Sequence, residues 1–316
     1  MGINILLILV GFVLLIKGAD ILVDGSSAIA KKLRISEIVI GLTIVSIGTS
    51  MPELFVSTSS AIQGASDISI GNVIGSNICN LLLILGLSAM INPVKFQKET
   101  KWIENPMSII LSLIFLVICN INQDINRIEG IFLIILFIAF LIYTVIMGKK
   151  SQNEEILKTS LEDAKKISVV KNVVLILLGI IGLKIGGDLV VENAKLVATT
   201  LNISEKIIGL TIVAIGTSLP ELVTSVTAAI KGDSDIAIGN IVGSNIFNML
   251  LIVGLSAVIK PIIYNISYNF EMIILFIAMF LMLAFPFIKP KDEMSRTNGA
   301  ILVLLYIFYM IILFLK

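Results

Sequence analysis

The amino-acid sequence predicts an all-α integral membrane protein with ten transmembrane helices, built as two inverted five-helix repeats. Three observations carry this reading. Only 14% of the 316 residues are charged while 57% are apolar, and the mean hydropathy is +1.05. A soluble domain carries roughly 25% charged residues, so this chain has too little polar surface to cover a water-facing globule, and lipid is its main solvent. Ten segments approach or exceed the run of about 20 mostly apolar residues that a helical span needs. Finally, a pair of polar motifs recurs at an offset of 168 residues, once in each half.

In chain order the spans are expected at 3–31, 35–63, 67–92, 106–122, 127–148, 171–199, 203–231, 235–260, 269–288 and 297–315. The fourth is short, and several of the others are long enough to tilt or break. The first has no basic region before it and no small-residue cleavage site after it, so it reads as a retained span rather than a signal peptide. Lys and Arg in short loops favour the cytoplasm. Sixteen of them fall on one side and five on the other, which places both termini outside and the 149–170 linker in the cytoplasm. The chain therefore divides into a first repeat (1–148), a mixed-charge linker (149–170) too short to fold as a regulatory domain, and a second, inverted repeat (171–316).

Net charge is +1, so no global field draws nucleic acid or an acidic partner. Cys79 and Cys119 both lie in apolar runs and read as small core residues. The absence of histidine removes the usual proton shuttle and the commonest transition-metal ligand.

Residues 36–54 (SEIVIGLTIVSIGTSMPEL) and 204–222 (SEKIIGLTIVAIGTSLPEL) are identical at fifteen of nineteen positions, and 67–89 and 235–257 at seventeen of twenty-three. Each half holds five spans, and an odd number makes the second half enter the membrane from the opposite side. Such inverted repeats place a transporter's substrate site near the midplane, at the repeat interface. A duplication kept for packing alone would preserve lipid-facing apolar positions; the identity here lies in Gly, Thr, Ser, Pro, Glu and Asn.

Within Gly48-Thr49-Ser50-Met51-Pro52-Glu53, the proline removes a backbone donor and crowds the carbonyl four residues back, which belongs to Gly48. The helix is expected to break there and free carbonyl oxygens, tolerable at membrane depth only where they face protein or a wet cavity. Gly216-Thr217-Ser218-Leu219-Pro220-Glu221 repeats this in the other half. A charged residue at the bilayer centre costs about 2.5–3.5 kcal/mol on insertion scales, yet Glu53 and Glu221 sit mid-span with no basic residue nearby in sequence. Related by a pseudo-two-fold axis, they are expected to converge, where two carboxylates repel unless protonated or bridged by a cation.

The third and eighth spans add Asn72, Gly75, Ser76, Asn77 and Asn80, and Asn240, Gly243, Ser244, Asn245 and Asn248. Ser76 and Asn80 share one helix face, as do Ser244 and Asn248. Asn72, Asn77, Asn240 and Asn245 read equally well as helix–helix glue. This inventory of carboxylates, hydroxyls, amide oxygens and freed carbonyls suits a hard cation, since Ca2+ takes 6–8 oxygens in flexible geometry and Na+ uses the same donors. The residues alone do not choose the coupling ion.

At these motifs, each present twice, the sequence resembles the calcium/cation antiporter superfamily and, within it, the prokaryotic Na+/Ca2+ exchangers, over essentially the whole chain. The resemblance implies a secondary active antiporter in the cell membrane, exchanging Na+ for Ca2+ by alternating access. It implies that Glu53 and Glu221 bind Ca2+ with the carbonyls of Thr49 and Thr217. Na+ would use the same carboxylates with Ser50, Ser76, Ser218, Ser244 and the carbonyls of Ser46 and Ala214, while Asn80 and Asn248 line the central position. The long first and sixth spans, with Asp20, Asp24, Asp188 and Glu192 near their ends, resemble the family's sliding pair, although those acids read better as interface anchors. K+-dependent relatives carry Asp at the position of Asn248, and proton-coupled ones a Glu inside the Gly-Asn motif; this chain has neither. Ca2+ and Na+ enter as transported substrates, with no cofactor, nucleic acid or obligatory protein partner, and with lipid as the solvent. A channel would use the same oxygens but needs a pore open to both sides. An intramembrane enzyme with the glutamates as acid and base finds no histidine or cofactor motif to support it.

Overall fold

Apolar side chains on the outside dominate the helices of this protein. The computed structural model describes residues 2–33, 35–150, 168–201, 214–288 and 291–315. The helices are α1 (Gly2–Leu33), α2 (Glu37–Thr49), α3 (Met51–Gln63), α4 (Ser66–Ile91), α5 (Thr100–Ile121), α6 (Arg127–Lys150), α7 (Val169–Thr200), the short α8 (Ala214–Thr217), α9 (Leu219–Lys231), α10 (Ser234–Ile259), α11 (Ile266–Phe287) and α12 (Arg296–Leu315). Among the described residues eight helices are long and apolar enough to cross a membrane, or nine with α2 and α3 counted as one bent span. Leu6, Ile135 and Phe308 are among the many large apolar residues left exposed. In water such a surface would associate; in lipid it is the solvated face. The protein is thus an all-α membrane protein.

The core sits around α4 and α10. Of their most apolar stretches 72% and 83% is buried, against 22–39% for the other long helices. Both carry Gly, Ser and Asn on faces that a lipid-facing helix would fill with Leu, and both widen into a π-type turn, at Cys79–Ile84 and Phe247–Ile252. Such turns interrupt the i→i−4 ladder and frequently mark functional sites.

Around this core, α1 and α7 pack along their length. A Cβ built on Gly11 would lie 2.8 Å from the carbonyl oxygen of Gly186, and one on Gly18 2.9 Å from that of Gly179. Only glycine permits an approach this close. Because Gly11 faces Gly186 and Gly25 faces Asn172, the two helices run antiparallel. Two short antiparallel strand pairs tie loops together: β1 (Val94–Lys95) with β4 (Glu293–Met294), and β2 (Asp124–Ile125) with β3 (Ile262–Ile263).

The structure departs from the sequence expectations at three places. The fourth span is not short: α5 begins at Thr100 and runs 22 residues. Its first turns hold Lys101 and Glu104, which hide the helix from a hydropathy reading. Lys101, its side chain mostly buried, reaches Asp292 at 2.5 Å. The linker expected at 149–170 is helical at both ends, since α6 continues to Lys150 and α7 starts at Val169; positions 151–167 lie outside the described residues. The span expected at 203–231 is described only from Ala214 onward.

Candidate functional site

The break expected at Gly48–Pro52 falls at Ser50, where α2 and α3 meet at 50°. Proline near the start of a helix loses nothing, because the first N–H groups have no intrahelical partner. Pro52 therefore starts α3 as it ends α2. Ser50 takes φ −84°, ψ 11° and Ser218 φ −88°, ψ 8°, so the two halves break their helices in the same way. The following turns also match: Gly64 and Gly232 end α3 and α9 at φ 80° and 84°, a left-handed cap that suits glycine.

These breaks bring Glu53 and Glu221 to the first turns of α3 and α9, where each is 1% exposed. The hydroxyl of Ser50 donates to Glu221 Oε1 at 2.6 Å, and that of Ser218 to Glu53 Oε1 at 3.2 Å. Each glutamate is thus held by the serine three residues before the other, which brings the two carboxylates together. Ser76 adds a longer bond to Glu53 Oε1 at 3.4 Å, and Ser50 also reaches Ser244 Oγ at 2.9 Å. The second oxygens, Glu53 Oε2 and Glu221 Oε2, are buried and without a partner, as are Asn80 Oδ1 and Asn248 Oδ1. None of the ion pairs among the described residues involves either glutamate. Buried polar atoms normally have partners, and these four unpartnered oxygens are of the kind that a hard cation takes as ligands.

A second tier holds the carboxylate-bearing turns. Asn240 Nδ2 donates to Ser225 Oγ at 2.9 Å and to the Glu221 carbonyl at 3.5 Å, while Thr49 donates to Asn240 Oδ1 at 3.0 Å. In the other half Asn72 does the same with Ser57 at 3.0 Å, the Glu53 carbonyl at 3.4 Å and the Thr217 hydroxyl at 3.4 Å. Thr49 and Thr217 therefore use their hydroxyls to lock helices of opposite halves. The Ser46 carbonyl accepts from the Ser50 N–H at 3.1 Å, from the Thr49 hydroxyl at 3.3 Å and, at 3.5 Å, from Ser244. Ala214 opens α8. Ser57 and Ser225 escaped the sequence reading; their signal is the position one turn after each glutamate on the same face.

Beside this centre a cavity of about 380 Å³ is lined by Pro52, Thr217 and Pro220 together with Lys184, Asp188 and Glu192 of α7. It reaches the residues immediately preceding both glutamates.

A family model described as sodium/calcium exchanger protein matches residues 3–146 and 171–315. The sodium/calcium exchanger MaX1 of Methanosarcina acetivorans is 34% identical, with 99% of each chain covered. The putative antiporter CaxA of Alkalimonas amylolytica is 37% identical over 97% of each. A structure of the sodium-calcium exchanger NCX_Mj, soaked with Na+ and Ca2+, superposes with a TM-score of 0.84 at 35% identity, covering 97% of both chains. With both halves matched and these relatives aligned nearly end to end, the chain belongs to the sodium/calcium exchanger family.

Proposed function

We propose that this protein is a secondary active antiporter that exchanges Na+ for Ca2+ at a single central site by alternating access. The observation that carries the reading is the buried glutamate pair: two carboxylates, unpaired with any basic side chain among the described residues, each with one oxygen held by a serine and one left open. One Ca2+ balances their charge, and so do two Na+. The same oxygens cannot serve both ions together, so Na+ and Ca2+ compete, and competition at one site is what couples their fluxes. Glu53, Glu221 and the carbonyls of Thr49 and Thr217 form the Ca2+ set. Na+ uses the carboxylates with Ser50, Ser76, Ser218, Ser244 and the carbonyls of Ser46 and Ala214, and Asn80 and Asn248 line the middle. No cofactor takes part, since both ions are substrates.

The halves 1–148 and 171–316 are inverted repeats of five spans in the cell membrane, with both termini outside. The antiparallel pairing of α1 with α7 supports this. So do the loop contacts, which sort into two sets that each fit one membrane face. The loop after α4 pairs with the loop before α12, and Asn92 donates to the Ala229 carbonyl at 2.8 Å. The loop after α5 pairs with the loop after α10, and the Ile263 N–H donates to Ser66 at 3.2 Å. Ten spans satisfy both sets. The cavity beside α7 then serves as the route from outside.

Radiolabelled Ca2+ uptake into proteoliposomes tests the function. Uptake driven by an outward Na+ gradient, needing neither K+ nor a pH gradient, is the expected result; uptake that needs no counter-ion would make the protein a channel.

A further inference from the structure

Four asparagines meet where α4 and α10 approach each other, and their hydrogen bonds close into a two-fold pattern. Asn77 Nδ2 donates to the backbone carbonyl of Asn245 at 3.2 Å, and Asn245 Nδ2 to that of Asn77 at 3.4 Å. Each bond fixes its amide with the NH2 group against the opposite backbone, so the oxygen is the end turned to the neighbouring side chain. Asn248 Nδ2 donates to Asn77 Oδ1 at 3.0 Å, and Asn80 Nδ2 to Asn245 Oδ1 at 3.0 Å. All four residues are 0–1% exposed.

A primary amide has a donor end and an acceptor end of nearly the same shape. Turning Asn248 over would set its oxygen against the oxygen of Asn77 and its NH2 group where the buried, unpartnered oxygen now lies, in the central position of the proposed site. The first arrangement loses a hydrogen bond, and the second points partial positive charge at a cation. Asn77 thereby decides which end of Asn248 faces the ion, and Asn245 decides it for Asn80. The buried, unpartnered Oδ1 atoms of Asn80 and Asn248 are the consequence.

We infer that Asn77 and Asn245 are positioning residues for ion binding, which hold Asn248 and Asn80 with their oxygens toward the ion while contacting no ion themselves. This rests on the reading above that Asn80 and Asn248 line the central position. It also separates the four asparagines into two roles that side-chain type alone cannot distinguish.

A double-mutant cycle tests the inference. Apparent Ca2+ affinity is read twice for Asn77→Ala, Asn248→Ala and the double variant: from the KM of uptake in proteoliposomes, and from the Ca2+-dependent rise in Tm of the solubilised protein. One hydrogen bond contributes roughly 0.5–1.5 kcal/mol, so Asn77→Ala is expected to weaken Ca2+ about two- to tenfold, with the maximal rate little changed. In the Asn248→Ala background the same substitution is expected to add no further loss of affinity. An equal loss in both backgrounds, or no loss in the otherwise unmutated protein, overturns the inference. If instead Asn248→Ala leaves Ca2+ affinity unchanged, the ion-facing reading of that amide has failed and the inference falls with it. Asn245→Ala with Asn80→Ala repeats the cycle in the other half and serves where Asn77→Ala does not fold.

Discussion

Two groups of carboxylates in this protein meet opposite fates. Asp20 and Asp24, toward the end of α1, keep side-chain exposures of 42% and 67% and share the Lys231 amine at 2.5 and 2.7 Å. Glu53 and Glu221 are 1% exposed, and hydroxyls rather than amines hold them. The outer acids share one amine that the chain supplies, which balances one of their two charges. The inner ones have no such amine among the described residues, and in the proposed function they take a cation from solution. Burial explains the difference in consequence: a half-exposed ion pair contributes about 0–1 kcal/mol, whereas an uncompensated buried charge is costly enough to be protonated or to recruit a partner.

The largest effect that sharpens this contrast comes from the inner pair. Glu53→Gln or Glu221→Gln halves the formal charge facing a divalent ion, so Ca2+ at concentrations that saturate the unmutated protein is expected to produce no rise in Tm. Next comes Asn248→Asp. With amides at both 80 and 248 the centre carries two formal charges and no third acid to recruit K+, so exchange is expected to be K+-independent; a Na+ load exceeding those two charges, as the family resemblance implies, makes it sensitive to membrane potential. A third acid beside two others must either stay protonated or recruit another cation; Asn248→Asp is therefore expected to slow exchange or make it pH-dependent between neutral and mildly acidic conditions. Strict K+ dependence before mutation would break this account of the charge balance. Smaller again is Ser50→Ala, which removes the donor on Glu221. Hydrogen bonds to charged groups contribute about 1.5–3 kcal/mol, and a fall in Ca2+ affinity of at least tenfold is expected. Smallest is Lys231→Gln, expected to change stability to chemical denaturation by no more than about 1 kcal/mol and to leave Ca2+ affinity unchanged; a lost ion response there would erase the distinction between the two groups.

What the sequence disclosed follows the same division. The glutamates, the broken helices and the duplicated motifs were legible because proline, glycine and mid-span acids each carry a strong local penalty that only a particular structure relieves. The partners were not. Nothing local says that Ser50 serves Glu221 rather than Glu53, because that contact depends on how two segments 171 positions apart dock against each other. Asn72 and Asn77 looked alike as helix glue, yet one clasps the Glu53 turn and the other meets Asn245, a distinction set by which helix faces each side chain. The start of α5 stayed hidden because Lys101 and Glu104 lower the hydropathy of a segment in which Lys101 pairs with Asp292 and Glu104 is buried. Ser57 and Ser225 were missed because their one local signal, a place one turn after each glutamate, does not name the partner, Asn72 or Asn240, that gives it meaning.

The most direct test sets the two groups side by side. Na+-gradient-driven uptake of radiolabelled Ca2+ is measured in proteoliposomes holding Glu53→Gln, Glu221→Gln or Asp24→Asn, each checked for insertion and monodispersity. The account predicts no uptake above background for either glutamate variant and near-unmutated uptake for Asp24→Asn. Uptake near the unmutated rate with Glu53→Gln or Glu221→Gln would contradict the claim that these two carboxylates carry the ion.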